Sequence, residues 1–125
     1  MHKGLVLFLP LLICSVVGSA QLPEFLMSDF YTNECDAILF DSGGDGAEYG
    51  LNENLTFTVE TGDPINIQFL EEVCIETDFD FLYVYDGLDD TAPLLAEISG
   101  FDFIPTSLIA NSGAVTFVFT SDGSA

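Results

Sequence analysis

Short segments in which apolar and polar side chains alternate recur from residue 35 to the end of the chain. Two-residue alternation places successive side chains on opposite faces of an extended strand. Gly, Pro, Asp and Asn cluster between the segments, as they do in turns. The predicted strands are 35–40, 55–60, 65–69, 79–85, 94–98, 107–110 and 115–119. Because no helical period of useful length interrupts them, the pattern predicts an all-β fold, an antiparallel β-sandwich.

One of these segments, FDFLYVYDG at residues 79–87, carries an acid inside an apolar run. Asp80 falls on the same face as Leu82 and Val84, where burial of an unpaired carboxylate would cost free energy. We therefore expect Asp80 to have a ligand or hydrogen-bond partner. The other face of the segment carries Tyr83 and Tyr85, which we predict to pack in the core rather than to face a carbohydrate.

Residues 1–20 have the features of a secretory signal. A short basic start precedes an apolar run from Leu5 to Val17, and Gly18, Ser19 and Ala20 supply a cleavage site. The apolar run is short for a membrane span. We expect cleavage after Ala20, secretion or cell-surface exposure, and no membrane insertion afterwards.

The chain that follows Ala20 contains 21 Asp and Glu residues and no Lys, Arg or His, so its formal charge is −21. Nucleic acids and anionic lipids are excluded as partners because both need Lys or Arg. Nucleophilic catalysis with a His or Lys base is excluded within this chain. Oxygen ligation of hard cations remains, as does a carboxylate pair acting on a glycoside.

Seven short motifs follow one another along residues 35–125. They are C-x4-F-D-S-G-G (35–44), Y-G-x-N (49–52), T-F-T-V (56–59), I-x-I-x-F (65–69), I-E-x3-D-F-L-Y-V-Y-D-G (75–87), I-S-G (98–100) and F-T-S-D-G-S (119–124). This is the order found in CUB domains, and the chain resembles the variant of secreted, often bacterial, multidomain proteins. The resemblance implies a jelly-roll-type antiparallel sandwich that serves as an extracellular binding module for protein or carbohydrate.

The resemblance also implies a calcium site of the kind found in a subset of such domains. The matching positions are Glu76, Asp80, Asp122 and Ser124 as ligands, with Tyr49 supporting Glu76 from outside the ligand set. Three neighbouring carboxylates would repel one another, and a divalent cation would remove that repulsion. By contrast, we expect Asp86 to cap its own turn.

Two departures from the family pattern lead to further expectations. CUB domains usually have four cysteines in two bridges, whereas Cys35 and Cys74 are the cysteines that follow the signal here. We expect them not to pair with each other, because Cys35 matches a position near the first strand of the domain and Cys74 lies in an acidic loop. The chain stops at Ala125, shortly after the Ser-Asp-x-Ser motif, which implies that the last strand is missing and leaves an unpaired edge. We expect residues 21–34 to be an N-terminal arm and 35–125 to be the truncated domain.

The sequence thus predicts a non-enzymatic extracellular binding or adhesion module, stabilised by calcium, in a larger secreted or surface protein. Two alternatives remain: a structural spacer without a ligand, and a region of a carboxylate-pair glycoside hydrolase, which the absence of Trp disfavours. Asn54-Leu55-Thr56 matches the N-glycosylation acceptor pattern, although Leu55 begins a predicted strand.

Overall fold

The computed structural model describes residues 5–10, 22–34, 36–44, 47–69, 75–100 and 107–124, with residues 5–10 described by their backbone alone. Within these residues ten strands form two five-stranded sheets and there is no helix. The strands are β1 (Leu5–Pro10), β2 (Glu24–Leu26), β3 (Phe30–Thr32), β4 (Ala37–Phe40), β5 (Asn54–Glu60), β6 (Ile65–Phe69), β7 (Phe81–Tyr85), β8 (Leu94–Ile98), β9 (Ser107–Ala110) and β10 (Ala114–Thr120).

Sheet A has the strand order β2-β4-β1-β6-β9, and sheet B has the order β3-β5-β10-β7-β8. Six of the eight strand pairs are antiparallel. The parallel pairs, β2 with β4 and β3 with β5, lie at the outer edges of the two sheets. The predicted all-β sandwich is therefore confirmed, and it is mixed only at these two edges.

The core lies between the inner faces of the two sheets. Phe57, Phe117, Ile65, Ile67 and Val84 have no exposed surface. The alternation seen in the sequence is the cause, because β5, β6 and β7 place every second side chain on the buried side. All seven strands predicted from the pattern are present, with ends shifted by at most two residues.

Three strands were not predicted. β2 and β3 lie in the stretch interpreted as an N-terminal arm, and each contributes three residues to a different sheet. A three-residue strand is too short to show a period. Phe25 and Phe30 from this stretch contact the ring of Phe57, with centroids 5.5 and 5.7 Å from it. The arm is thereby held against the core.

The third unpredicted strand, β1, belongs to the segment interpreted as a secretory signal. It pairs antiparallel with β4 on one side and with β6 on the other, at the centre of sheet A. If residues 1–20 were removed, β4 and β6 would both lose a neighbour. Removal would therefore leave unpaired strand edges at the centre of sheet A, whereas the sequence predicted an unpaired edge where the last strand is missing.

The described residues include no helix long and apolar enough to cross a bilayer. Cys35 and Cys74 lie outside the described residues, so the expectation that they are unpaired stays a prediction.

Candidate metal centre

Asp80 immediately precedes β7 and lies on the inner face of sheet B, with only 1% of its surface exposed. A tight turn over residues 77–79 brings Glu76 beside it, and the Asp80 amide donates to the Glu76 carbonyl at 3.1 Å. Asp78 adopts φ 68° within this turn. Asn and Asp enter the left-handed region more readily than most residues, so the local sequence suits the turn that pairs the two acids.

The Asp80 carboxylate is satisfied on both oxygens. The Tyr49 hydroxyl donates to Oδ2 at 2.7 Å, and the Asp122 amide donates to Oδ1 at 2.8 Å. Hydrogen bonds to a charged acceptor are stronger than neutral ones. These two donors explain how an acid can be buried inside an apolar strand segment, and they attach two distant loops to the start of β7.

Asp122 and Ser124 follow β10 and reach the same end of the sandwich. The Ser124 amide and hydroxyl donate to Asp122 Oδ1 at 2.9 and 3.1 Å, which places Ser124 next to the Asp122 carboxylate. The Asp122 carbonyl accepts from the Asn52 amide at 2.7 Å, so the loop before β5 holds the loop after β10.

Glu76, Asp80 and Asp122 each place one carboxylate oxygen within 4.8 Å of those of the other two. One oxygen, Glu76 Oε2, is buried and has no hydrogen-bond partner among the described residues. Burial raises the pKa of Glu76, and the charges of Asp122 and Asp80 raise it further. The three predicted carboxylates do converge, and the cluster they form can hold a metal ion.

Tyr49 supports the cluster differently from the expectation. Its hydroxyl donates to the Asp80 carboxylate rather than to that of Glu76, and it accepts from the Glu76 backbone amide at 3.1 Å. The pKa of Tyr49 is raised well above its usual range, first because burial removes water and second because Asp80 accepts its proton in a hydrogen bond. Tyr49 thus joins the two acids of the turn through its neutral hydroxyl.

Sequence reasoning missed the residues that hold these loops. Ser99 accepts from the Asp78 amide at 2.8 Å and donates to the Glu76 carbonyl at 3.3 Å, which braces the turn between the acids. Ser121 accepts from the Glu53 amide at 2.9 Å and donates to the Gly50 carbonyl at 2.7 Å. Ser99 and Ser121 lie in the I-S-G and F-T-S-D-G-S motifs, so both residues belong to motifs visible in the sequence, although the motifs alone do not indicate this role.

Two predictions about nearby residues were wrong. Tyr83 and Tyr85 are half-buried on the outer face of sheet B, because the core-facing positions of β7 are Leu82 and Val84. Their rings stack along the strand, with centroids 6.3 Å apart. Asp86 does not cap its own turn, since its side chain accepts from the amide of Ser112 in a distant loop at 3.0 Å.

Comparison with known proteins gives two informative similarities. The chain is 31% identical over 88 residues to exoskeleton protein RP43 of Riftia pachyptila, covering 66% of this chain and 21% of that protein. It is 35% identical over 81 residues to human multiple epidermal growth factor-like domains protein 8, covering 62% of this chain and 3% of that protein. No protein-family model matches.

The chain therefore spans about a fifth of one relative and a small fraction of the other. Neither name is that of an enzyme. The similarities are consistent with an extracellular, non-enzymatic module, and the acidic cluster is the feature of that module with recognisable chemistry.

Proposed function

We propose that the chain is a CUB-like extracellular binding module in which a calcium ion holds together the loops that meet at the acidic cluster. Glu76, Asp80 and Asp122 would hold the ion through carboxylate oxygens, and Ser124 would add its hydroxyl. The observation that carries the proposal is the buried, unpartnered Glu76 Oε2 beside two other carboxylates. A buried charged oxygen without a partner is costly, and a cation is the partner it lacks.

The donor set fits calcium. All the donors are hard oxygens, and calcium takes six to eight such ligands at about 2.3–2.6 Å, with carbonyls and water completing the shell. Two oxygens bound on opposite sides of one calcium ion are therefore about 5 Å apart. The three carboxylate oxygens lie within 4.8 Å of one another, which is close enough for one calcium ion to contact all of them. Magnesium demands shorter bonds and a stricter octahedron.

The same arrangement does not favour the glycosidase alternative. Retaining glycosidases separate their two carboxyl groups by about 5–5.5 Å and leave both accessible to a sugar. Asp80 is 1% exposed and has a donor on each oxygen, so it cannot reach a substrate.

Exposed apolar side chains near the acidic cluster support a binding role. Phe79, next to Asp80, is 59% exposed, and Leu51, next to Asn52, is 49% exposed. Contiguous exposed apolar patches rimmed by polar residues mark protein interaction sites, and we expect Phe79 and Leu51 to belong to such a patch. A protein partner would bury both residues, while a carbohydrate partner remains the alternative. The ion would keep the loops that carry them in one arrangement.

The experiment is a thermal-unfolding titration with calcium and with magnesium at equal concentration. At ten times the dissociation constant, calcium should add about 1.4 kcal/mol, which corresponds to a rise in Tm of about 6–10 °C. Asp122→Asn should remove most of this rise. Asp90→Asn removes the same charge from an exposed turn and should not. Equal stabilisation by both ions would show diffuse screening and contradict the site, and it would favour a spacer without a ligand.

A further inference from the structure

We infer that Asn54 is a site of N-linked glycosylation. It is the one Asn of the sequence followed two positions later by Ser or Thr, in Asn54-Leu55-Thr56, and the middle residue is not Pro. This pattern is the acceptor for oligosaccharide transfer in secreted proteins. The inference rests on entry into the secretory pathway, which is part of the proposed function, but it uses residues outside the metal cluster.

The structure provides room for the modification. Asn54 and Thr56 are exposed, and the Asn54 side chain makes no hydrogen bond within the described part of the chain. β5 begins at Asn54 and pairs there with Thr120 of β10 on one side. Its other neighbour, β3, pairs only from Phe57 onward, so Asn54 lies beyond the end of that strand. A bulky group on Asn54 therefore displaces no described neighbour.

The position of Asn54 in a strand is compatible with transfer. Oligosaccharide transfer takes place on the extended, newly made chain before it folds, so the folded strand has only to tolerate the product. Alternation along β5 buries Phe57 and Val59 and places Asn54 on the opposite, outer face of sheet B. Asp80 lies on the inner face of the same sheet. The oligosaccharide would therefore project away from the carboxylates.

The chemistry requires a lipid-pyrophosphate-linked oligosaccharide as the donor. The side-chain amide nitrogen of Asn54 forms a bond to the anomeric carbon of the first sugar and loses one proton. The bond from that carbon to the pyrophosphate oxygen breaks, and the lipid pyrophosphate leaves with the electron pair.

The test is expression of the full chain in an animal secretory cell line, with mass spectrometry of the medium and of the cell extract before and after peptide-N-glycosidase. We expect an added hexosamine-rich mass that the enzyme removes, leaving Asp at position 54. Asn54→Gln and Thr56→Ala should lose the added mass. Thr56→Ser preserves the acceptor pattern and should retain it. Should a variant fail to leave the cell, translation with microsomes gives the same readout on the lumenal product.

Translocated or secreted protein with unmodified Asn54 would overturn the inference and leave the metal proposal intact. An added mass that peptide-N-glycosidase still removes from Asn54→Gln would overturn it as well. A chain that stays outside the microsomes would contradict both glycosylation and the extracellular role. Calcium-dependent stabilisation, measured separately, should be the same in Asn54→Gln and the parent, so a failed metal site is distinguishable from a failed glycosylation site.

Discussion

Variants that break the hydrogen bond between Tyr49 and Asp80 can distinguish the structural role of the acidic cluster from its metal-binding role. Asp80→Asn keeps the size of the side chain but leaves one acceptor oxygen for two donors, the Tyr49 hydroxyl and the Asp122 amide. One of these bonds must be lost. Tyr49→Phe removes the hydroxyl that donates to Asp80, and it also leaves the Glu76 amide without its acceptor.

The magnitude follows from the burial of Asp80. A hydrogen bond to a charged group contributes about 1.5–3 kcal/mol, and Asp80 is 1% exposed, so water cannot replace the donor. Each variant should therefore lower the free energy of unfolding by about 1.5–3 kcal/mol. For a chain of this size we expect a fall in Tm of about 6–12 °C without calcium. In Asp80→Asn, reduced repulsion with Glu76 and Asp122 offsets part of the loss.

Calcium should distinguish the two variants. Asp80→Asn removes a proposed ligand, so the rise in Tm on adding calcium should nearly vanish. Tyr49→Phe removes no ligand, so most of the rise should remain although the starting Tm is lower. The double variant should cost less than the sum of the two single variants, because the bond between the Tyr49 hydroxyl and Asp80 is counted in both of them.

Differential scanning fluorimetry with a chelator or with calcium, supported by urea unfolding, gives both quantities. A full calcium response in Asp80→Asn would refute Asp80 as a ligand. Strictly additive losses in the double variant would refute the shared hydrogen bond.

Three further outcomes are expected. Because the pKa of Glu76 is raised in the folded state, its contribution to stability is present below about pH 4 and is lost as pH rises through the folded-state pKa. In calcium-free urea unfolding from pH 4 to 7, the free energy of unfolding should therefore fall less steeply for Glu76→Gln than for the parent. Glu34→Gln changes an exposed residue and should match the parent. Gly113 has φ 90°, and a Cβ there would lie 2.9 Å from the Gly62 carbonyl carbon. Gly113→Ala should therefore lower the free energy of unfolding in urea by about 1–3 kcal/mol. Gly62→Ala should cost less, because its Cβ would meet nothing within 4 Å. A chain that lacks residues 1–20 should show faster amide hydrogen exchange in β4 and β6, because both strands lose the partner β1. The exposed strand edges should also make the chain associate as its concentration rises. Unchanged exchange would contradict this role of β1.

The strands could be predicted because their cause is local. In β6 and β7 each buried side chain alternates with a more exposed one, which is visible in the order of the residues themselves. β2 and β3 could not be predicted in this way, since three residues show no period and their parallel pairing depends on strands far along the chain. The outward direction of Tyr83 and Tyr85 was mistaken because both faces of that strand are apolar, so alternation alone cannot say which one is inside.

The sequence by itself determined that the chain forms short strands and that an acid interrupts an apolar one, and the resemblance to CUB domains made Glu76 and Asp122 candidates to join it. Only the tertiary structure decided how that acid is satisfied. Tyr49 and Asp122 are 31 and 42 residues from Asp80, and no local pattern states that the hydroxyl of one and the amide of the other meet its two oxygens. The pairing of β10 with β5 on one side and with β7 on the other brings these loops to one end of the sandwich. The physical reason is that alternation records which side of a strand is buried, whereas the partner of a buried charge depends on where separate loops end in space.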